Sequence, residues 1–131
     1  MLVFLDSNIP LYAHSSVPEK AAIAQDLLSR RAVVSVQVLN EFAAVLRRKT
    51  TLDWSELQDQ SAWLRSLCEV VPVTEATHEK ALEIAERYRL HIYDANIWAA
   101  AILAGCDTLY SEDMHHGLTI EGTALRNPFP A

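Results

Sequence analysis

The sequence predicts an α/β fold: a central, mostly parallel sheet of four to five strands covered by helices on both faces. Short apolar runs of strand type alternate along the chain with longer segments whose apolar residues recur at helical spacing. Parallel strands need such crossovers, and apolar strands must be covered on both sides. The composition agrees with this, since half of the 131 residues are hydrophobic and 21% charged, with three glycines and five prolines. That is the profile of an ordinary folded protein, with neither repeat nor linker to divide it. A chain of this length buries roughly two thirds of its unfolded surface, so residues 1–131 are expected to form one domain.

The first strand is expected at Leu2 to Leu5, an apolar run closed by Asp6. Asn8 and Pro10 then look like a helix start, and a second helix follows from about Pro18 to Arg30. Val33-Val34-Ser35 is a short strand. From Val36 to Lys49, Leu39, Phe42, Ala43 and Leu46 obey the i, i+3, i+4, i+7 rule of a helix packed on a core. A helix from about Asp53 to Leu67 carries Trp54 and Trp63, for which core packing is the expected use. Glu69 to Val73 favours extended structure, and Pro72 points to an edge strand. Ala81, Ile84, Ala85 and Tyr88 mark another amphipathic helix, and Asp94 to Ala104 reads as a largely buried one ended by Gly105. Asp107 to Ser111 is the next strand.

Several functions are disfavoured at once. The apolar start is too short for a secretory signal, and the run Ile97 to Cys106 falls below the ~18 residues of a membrane span. With no signal, Cys68 and Cys106 read as reduced core thiols, and a cytoplasmic location is expected. The net charge of −6 argues against a broad cationic surface. Basic residues cluster locally at Arg30-Arg31 and Arg47-Arg48-Lys49; either group could touch phosphates, and solvated helix ends favoured by the helix dipole are the first expectation.

Four acids stand out: Asp6, Glu41, Asp94 and Asp113 occupy strand ends or apolar helix, where an unpaired carboxylate is costly. Singly, Asp6, Asp94 and Asp113 read as helix caps or Asx turns. Glu41 does not, because Gln37, Val38, Ala44 and Val45 three and four residues away offer no positive charge. In a parallel α/β sheet, ligands bind outside the carboxyl ends of the strands. Asp6 and Asp113 follow strands there, while Glu41 and Asp94 lie on helices that begin there. Gathered in one crevice, carboxylates repel one another until a divalent cation binds, and all-oxygen ligation suits Mg²⁺ or Mn²⁺ better than zinc. His14, His78 and His91 are expected on the surface, and His115-His116 in a solvated loop.

The residues that carry this pattern also resemble a known family. Val3-Phe4-Leu5-Asp6-Ser7-Asn8, Ser35-Val36-Gln37-Val38-Leu39-Asn40-Glu41-Phe42, Tyr93-Asp94-Ala95 and Ser111-Glu112-Asp113 together look like a PIN domain. The likeness extends over nearly the whole chain, is most specific from Ala99 to Gly117, and is closest to the VapC-type toxins of bacterial toxin-antitoxin pairs. It implies a PIN-like fold and a Mg²⁺- or Mn²⁺-dependent endoribonuclease, acting on tRNA or rRNA, in which Asp6, Glu41, Asp94 and Asp113 bind metal. Asn8 and Ser111 would orient the acids. The resemblance further implies a homodimer held inactive by a cognate VapB-like antitoxin. Asn96, where the family often has an apolar residue, and His115, where some members place a further acid, are departures.

In such a site a cation polarises the phosphodiester and lowers the pKa of water, so no side-chain nucleophile is needed and cleavage leaves 5′-phosphate and 3′-hydroxyl ends. Two rival readings have sequence features of their own. One is phosphoryl transfer through Asp6 as an aspartyl nucleophile, which usually wants a second acid where this chain has Asn8. The other is an inactive PIN-like binding module, which the retention of four acids opposes.

Overall fold

The computed structural model describes residues 2–114 and 117–130. The chain runs β1 (Val3–Leu5), α1 (Asn8–Tyr12), α2 (Pro18–Leu28), β2 (Val33–Ser35), α3 (Val36–Lys49), α4 (Trp54–Leu67), β3 (Glu69–Val71), α5 (Glu75–Tyr88), α6 (Ile92–Leu103), β4 (Thr108–Tyr110), β5 (Thr119–Ile120) and β6 (Thr123–Arg126). The strands form one sheet in the order β3-β2-β1-β4-β6-β5, parallel except where β5 joins β6.

That is six strands, where the sequence led us to expect four to five. The addition is the β5–β6 hairpin, whose two-residue turn Glu121-Gly122 has both residues at positive φ, 46° and 87°. Such turns are signalled by Asn-Gly or Asp-Gly, and here only the glycine is present. Edge position for the strand before Pro72 holds, because β3 closes one side of the sheet. It stops at Val71, as a residue without an N–H cannot extend the ladder.

Local chemistry sets the helix ends. Ser35 Oγ accepts from Val38 N to start α3 directly out of β2, and Asp53 with Glu56 forms a capping box at α4. Helix α2 ends at Leu28, short of Arg30, and Arg31 turns the chain at φ 54°. The amphipathic stretch around Ala81 begins earlier than its apolar pattern, at Glu75, because Thr74 and Thr77 cap it reciprocally. Gly105, at φ 76°, takes the chain out of α6.

Phe4, Leu5, Val33, Val34 and Leu109 from the strands meet Val38 and Phe42 of α3 and Ile97 and Trp98 of α6 in the core. Cys68 and Cys106 are buried and unbridged, and burial pushes both thiols up to about 11. Trp54 corrects the expectation of core packing, since it is 64% exposed beneath the Arg47 guanidinium. Trp63 is half-buried against Phe42 and His14. No helix among the described residues is long and apolar enough to cross a membrane.

Candidate functional site

The strand order places a switch point at β1. The chain leaves β1 towards β2 and β3 on one side and returns to β4 on the other. Crevices for ligands open at such points, outside the carboxyl ends of the strands. Asp6 follows β1 and Ser111 follows β4, and the two strands pair directly, with Leu5 against Tyr110. Asp6 is thereby aligned with Ser111, and Ser111 Oγ donates to Asp6 Oδ2 at 2.7 Å. The Ser7 backbone N–H serves the other oxygen, Oδ1, at 2.7 Å.

Asn8, in the first turn of α1, connects the rest. Its Nδ2 donates to Asp113 Oδ2 at 3.0 Å and lies 3.4 Å from Ser111 Oγ and 3.5 Å from Asp6 Oδ2. Its Oδ1 accepts from the Glu112 N–H at 3.3 Å. Glu41, on the second turn of α3, accepts at one oxygen from Ser7 Oγ (3.1 Å) and at the other from Gln37 Nε2 (2.9 Å). Thus Asp6, Glu41 and Asp113 belong to one hydrogen-bonded network. Asp94, in the first turn of α6, makes no hydrogen bond to it but is coupled to it by charge.

A family model described as the PIN domain matches residues 3–116. The chain belongs to the PIN domain family. No curated protein matches it significantly. Similar solved structures include a toxin-antitoxin complex from Klebsiella pneumoniae, at 19% identity and a TM-score of 0.74 with all of both chains covered. Another is VapBC2 from Rickettsia felis bound to a promoter DNA fragment, at 22% identity and 0.71, covering 97% of this chain and 98% of that one. A third is Mycobacterium tuberculosis VapC20, described as a sarcin-ricin-loop-cleaving toxin, at 20% and 0.68, covering 85% and 89%. At these identities the likeness establishes the α/β PIN fold with its mostly parallel, helix-covered sheet.

Electrostatically, the crevice of this PIN domain is a site short of positive charge. Burial, opposed by the bonds from Ser111 and Ser7 and reinforced by the charges of Glu41 and Asp94, raises the Asp6 carboxyl to about 6. Burial also raises Asp94, with His91 opposing and Asp113 reinforcing the shift. Among the described residues, none of the four acids is paired with lysine or arginine. An all-oxygen donor set without a countercharge is chemically matched to a hard divalent cation. Among the described residues no three His, Cys, Asp or Glu side chains already enclose a point for one ion. The carboxylates are instead held on Ser7, Asn8, Gln37 and Ser111.

The expected caps do not account for the acids. Helix α1 has no side-chain cap, and α6 is capped by His91, whose Nδ1 accepts from Tyr93 N. His14, His78 and His91 are exposed, while His115 and His116 lie outside the described residues. Asn96 keeps an orphaned buried Oδ1.

Sequence patterns do not reveal Ser7 and Gln37 as partners of Glu41, although Gln37 stands at i−4 as a neutral neighbour. Nor do they reveal a clamp on the Asp113 loop. Tyr12 Oη donates to Glu112 Oε1 at 2.5 Å, and Lys20 Nζ lies 3.2 Å from Glu112 Oε2 and 4.5 Å from the Tyr12 ring centroid. No periodicity signals a contact between residues 92 apart in sequence.

Proposed function

We propose that this member of the PIN nuclease family is a Mg²⁺- or Mn²⁺-dependent endoribonuclease and the toxin of a toxin-antitoxin pair. The observation that carries the reading is the hydrogen-bonded network of Asp6, Glu41 and Asp113, with Asp94 coupled to it by charge and no lysine or arginine paired with any of the four among the described residues. These four acids would hold the metal, with Asn8 and Ser111 orienting Asp113 and Asp6. The bound cation would supply an electrophile for the phosphodiester and an activated water.

The chain's own part is orientation. Ser111 Oγ and the Ser7 N–H fix Asp6 and oppose the rise that burial gives its carboxyl. Ser7 and Gln37 fix the two oxygens of Glu41, and Asn8 ties Asp113 to the end of β1. Locking ligands through such hydrogen bonds is how a site keeps its geometry. In-line attack by the activated water would form a new P–O bond and break the one to the 3′-oxygen, the water losing a proton and the 3′-oxygen gaining one, which would leave a 5′-phosphate and a 3′-hydroxyl. Aspartyl phosphotransfer through Asp6 is disfavoured, because that chemistry usually wants a second acid where Asn8 stands, and Asn8 is committed to Asp113.

The toxin-antitoxin complexes among the similar structures support a VapB-like antitoxin for this chain as well, and a homodimer is proposed with it on the family resemblance alone. The VapC20 description supports a structured rRNA loop as the substrate, and tRNA is the alternative that the family resemblance offers. Incubation of a mixed tRNA and rRNA pool with the native protein and Asp94→Asn, in Mg²⁺, Mn²⁺ or chelator, tests the reading. Metal-dependent cuts bearing 5′-phosphates and absent from the variant are expected. No cuts by folded, antitoxin-free protein would move the assignment to an inactive binding module. Sedimentation tests the dimer, and a monomer at micromolar concentration would remove it.

A further inference from the structure

A groove of about 790 Å³ opens beside Asp113. Asn8, Glu112 and Asp113 line it together with His14, Arg48 and Lys49. The three consecutive basic residues that finish α3 are not equivalent. Arg47 is engaged, with Nη1 donating to the Leu52 carbonyl at 3.4 Å and its guanidinium 4.6 Å from the Trp54 ring centroid. Arg48 and Lys49 are exposed along the groove and make no hydrogen bond or ion pair among the described residues. Satisfying the helix C-terminus explains one basic side chain well, and two further cations facing an open groove less so.

The same helix carries Glu41. Arg48 follows it by seven residues, two turns, so the two share a face about 10 Å apart along the axis. A stacked strand covers that distance in about three nucleotides at ~3.4 Å each. Glu112, the groove acid outside the catalytic four, is countered by Lys20 and bonded by Tyr12, so its repulsion of an anion is blunted. The groove therefore joins two cations that make no ion pair among the described residues to Asp113 of the acid cluster, in a chain of net charge −6.

We propose that this groove receives the RNA strand on one side of the cut, with Arg48 and Lys49 binding phosphates about three nucleotides from the scissile one. The inference rests on the nuclease reading above and adds to it the path of the substrate. For these two residues it favours the phosphate contact over the solvated helix end that the sequence alone puts first.

The test is the double variant Arg48→Ala/Lys49→Ala, with Arg30→Ala/Arg31→Ala as a charge-matched control on another face, where Arg30 pairs with Asp26. Binding of a short labelled single-stranded RNA is measured by anisotropy in Mg²⁺ and an Asp94→Asn background across a salt series. KM and kcat are measured in the native background. The double variant is expected to weaken binding about tenfold or more, as loss of charge-assisted bonds implies. The salt slope should shrink by roughly 0.7 per lost contact, and KM should rise with kcat held. Arg48→Lys/Lys49→Arg should retain binding. If the double variant binds and turns over like the parent while the parent cuts RNA, the groove is wrong and the nuclease reading stands. Equal weakening in the control would reduce the effect to overall charge and overturn the groove. A parent that neither binds nor cuts RNA would overturn both.

Discussion

Ser111 Oγ and Asp6 Oδ2 meet at 2.7 Å, each side chain buried, across the pairing of β1 with β4. This bond opposes the burial that raises Asp6. Ser111→Ala should therefore lift the Asp6 carboxyl further above about 6 and move the acid limb of the pH–rate profile to higher pH. It should also cost about 1–3 kcal/mol of stability at neutral pH, the usual penalty for stranding a buried acceptor. An acid limb that stays in place would show that Asp6 does not control it.

The raised carboxyl has a consequence for folding in the absence of metal. Below pH 3.8 Asp6 is neutral in both folded and unfolded chains, and its contribution is fully present. As pH rises through about 6 the folded chain must ionise a buried group, and that contribution is lost. The loss amounts to about 3 kcal/mol. Asp6→Asn should therefore be more stable than the native protein at pH 8 by up to that amount, with the gap closing near pH 4. Urea titrations in chelator at the two pH values decide this, and parallel curves would refute it.

Much of this was legible in the sequence because the elements were consistent with their own chemistry. The strand Val33–Ser35 and the helix Val36–Lys49 were bounded correctly, since β-branched residues, a serine cap and an apolar stripe agree there. Asp6, Glu41, Asp94 and Asp113 were gathered by a topological argument that needed only the sheet's carboxyl edge. What was hidden depends on tertiary partners. The β5–β6 hairpin has short strands and a Glu-Gly turn, and the Tyr12–Lys20–Glu112 clamp joins residues that no local pattern relates. Trp54 was misread because size suggested burial, whereas its place at the first turn of α4 leaves it outside the core.

Two tryptophans should respond very unequally to truncation. Trp98 is 1% exposed in the middle of α6, so Trp98→Ala opens a cavity in the core and should cost about 3–5 kcal/mol. Trp54, open to solvent under Arg47, forfeits chiefly a cation–π contact, and Trp54→Ala should cost less than about 1 kcal/mol. Chemical denaturation of the two variants measures the difference, and similar losses would place Trp54 in an interface that the monomer does not reveal.

The acids themselves predict how the protein answers to metal. Uncompensated carboxylates destabilise the fold, and a cation that binds only the folded state stabilises it by mass action, by about 2.7 kcal/mol at a hundredfold excess over its Kd. Mg²⁺ or Mn²⁺ should thus raise the Tm of the native protein by several degrees, about ten at that excess. The gain should grow from pH 5 to pH 7.5, because Asp6 sheds its proton within that window. Asp94→Asn and Asp113→Asn should each start from a Tm no lower than the native one and show a smaller gain, since each removes a repelling charge and a donor together. Thermal melts with and without the ions, against a monovalent salt of equal ionic strength, separate binding from screening. A gain that is the same in all three proteins, or matched by the monovalent salt, would mean that the four acids do not act as one cation site.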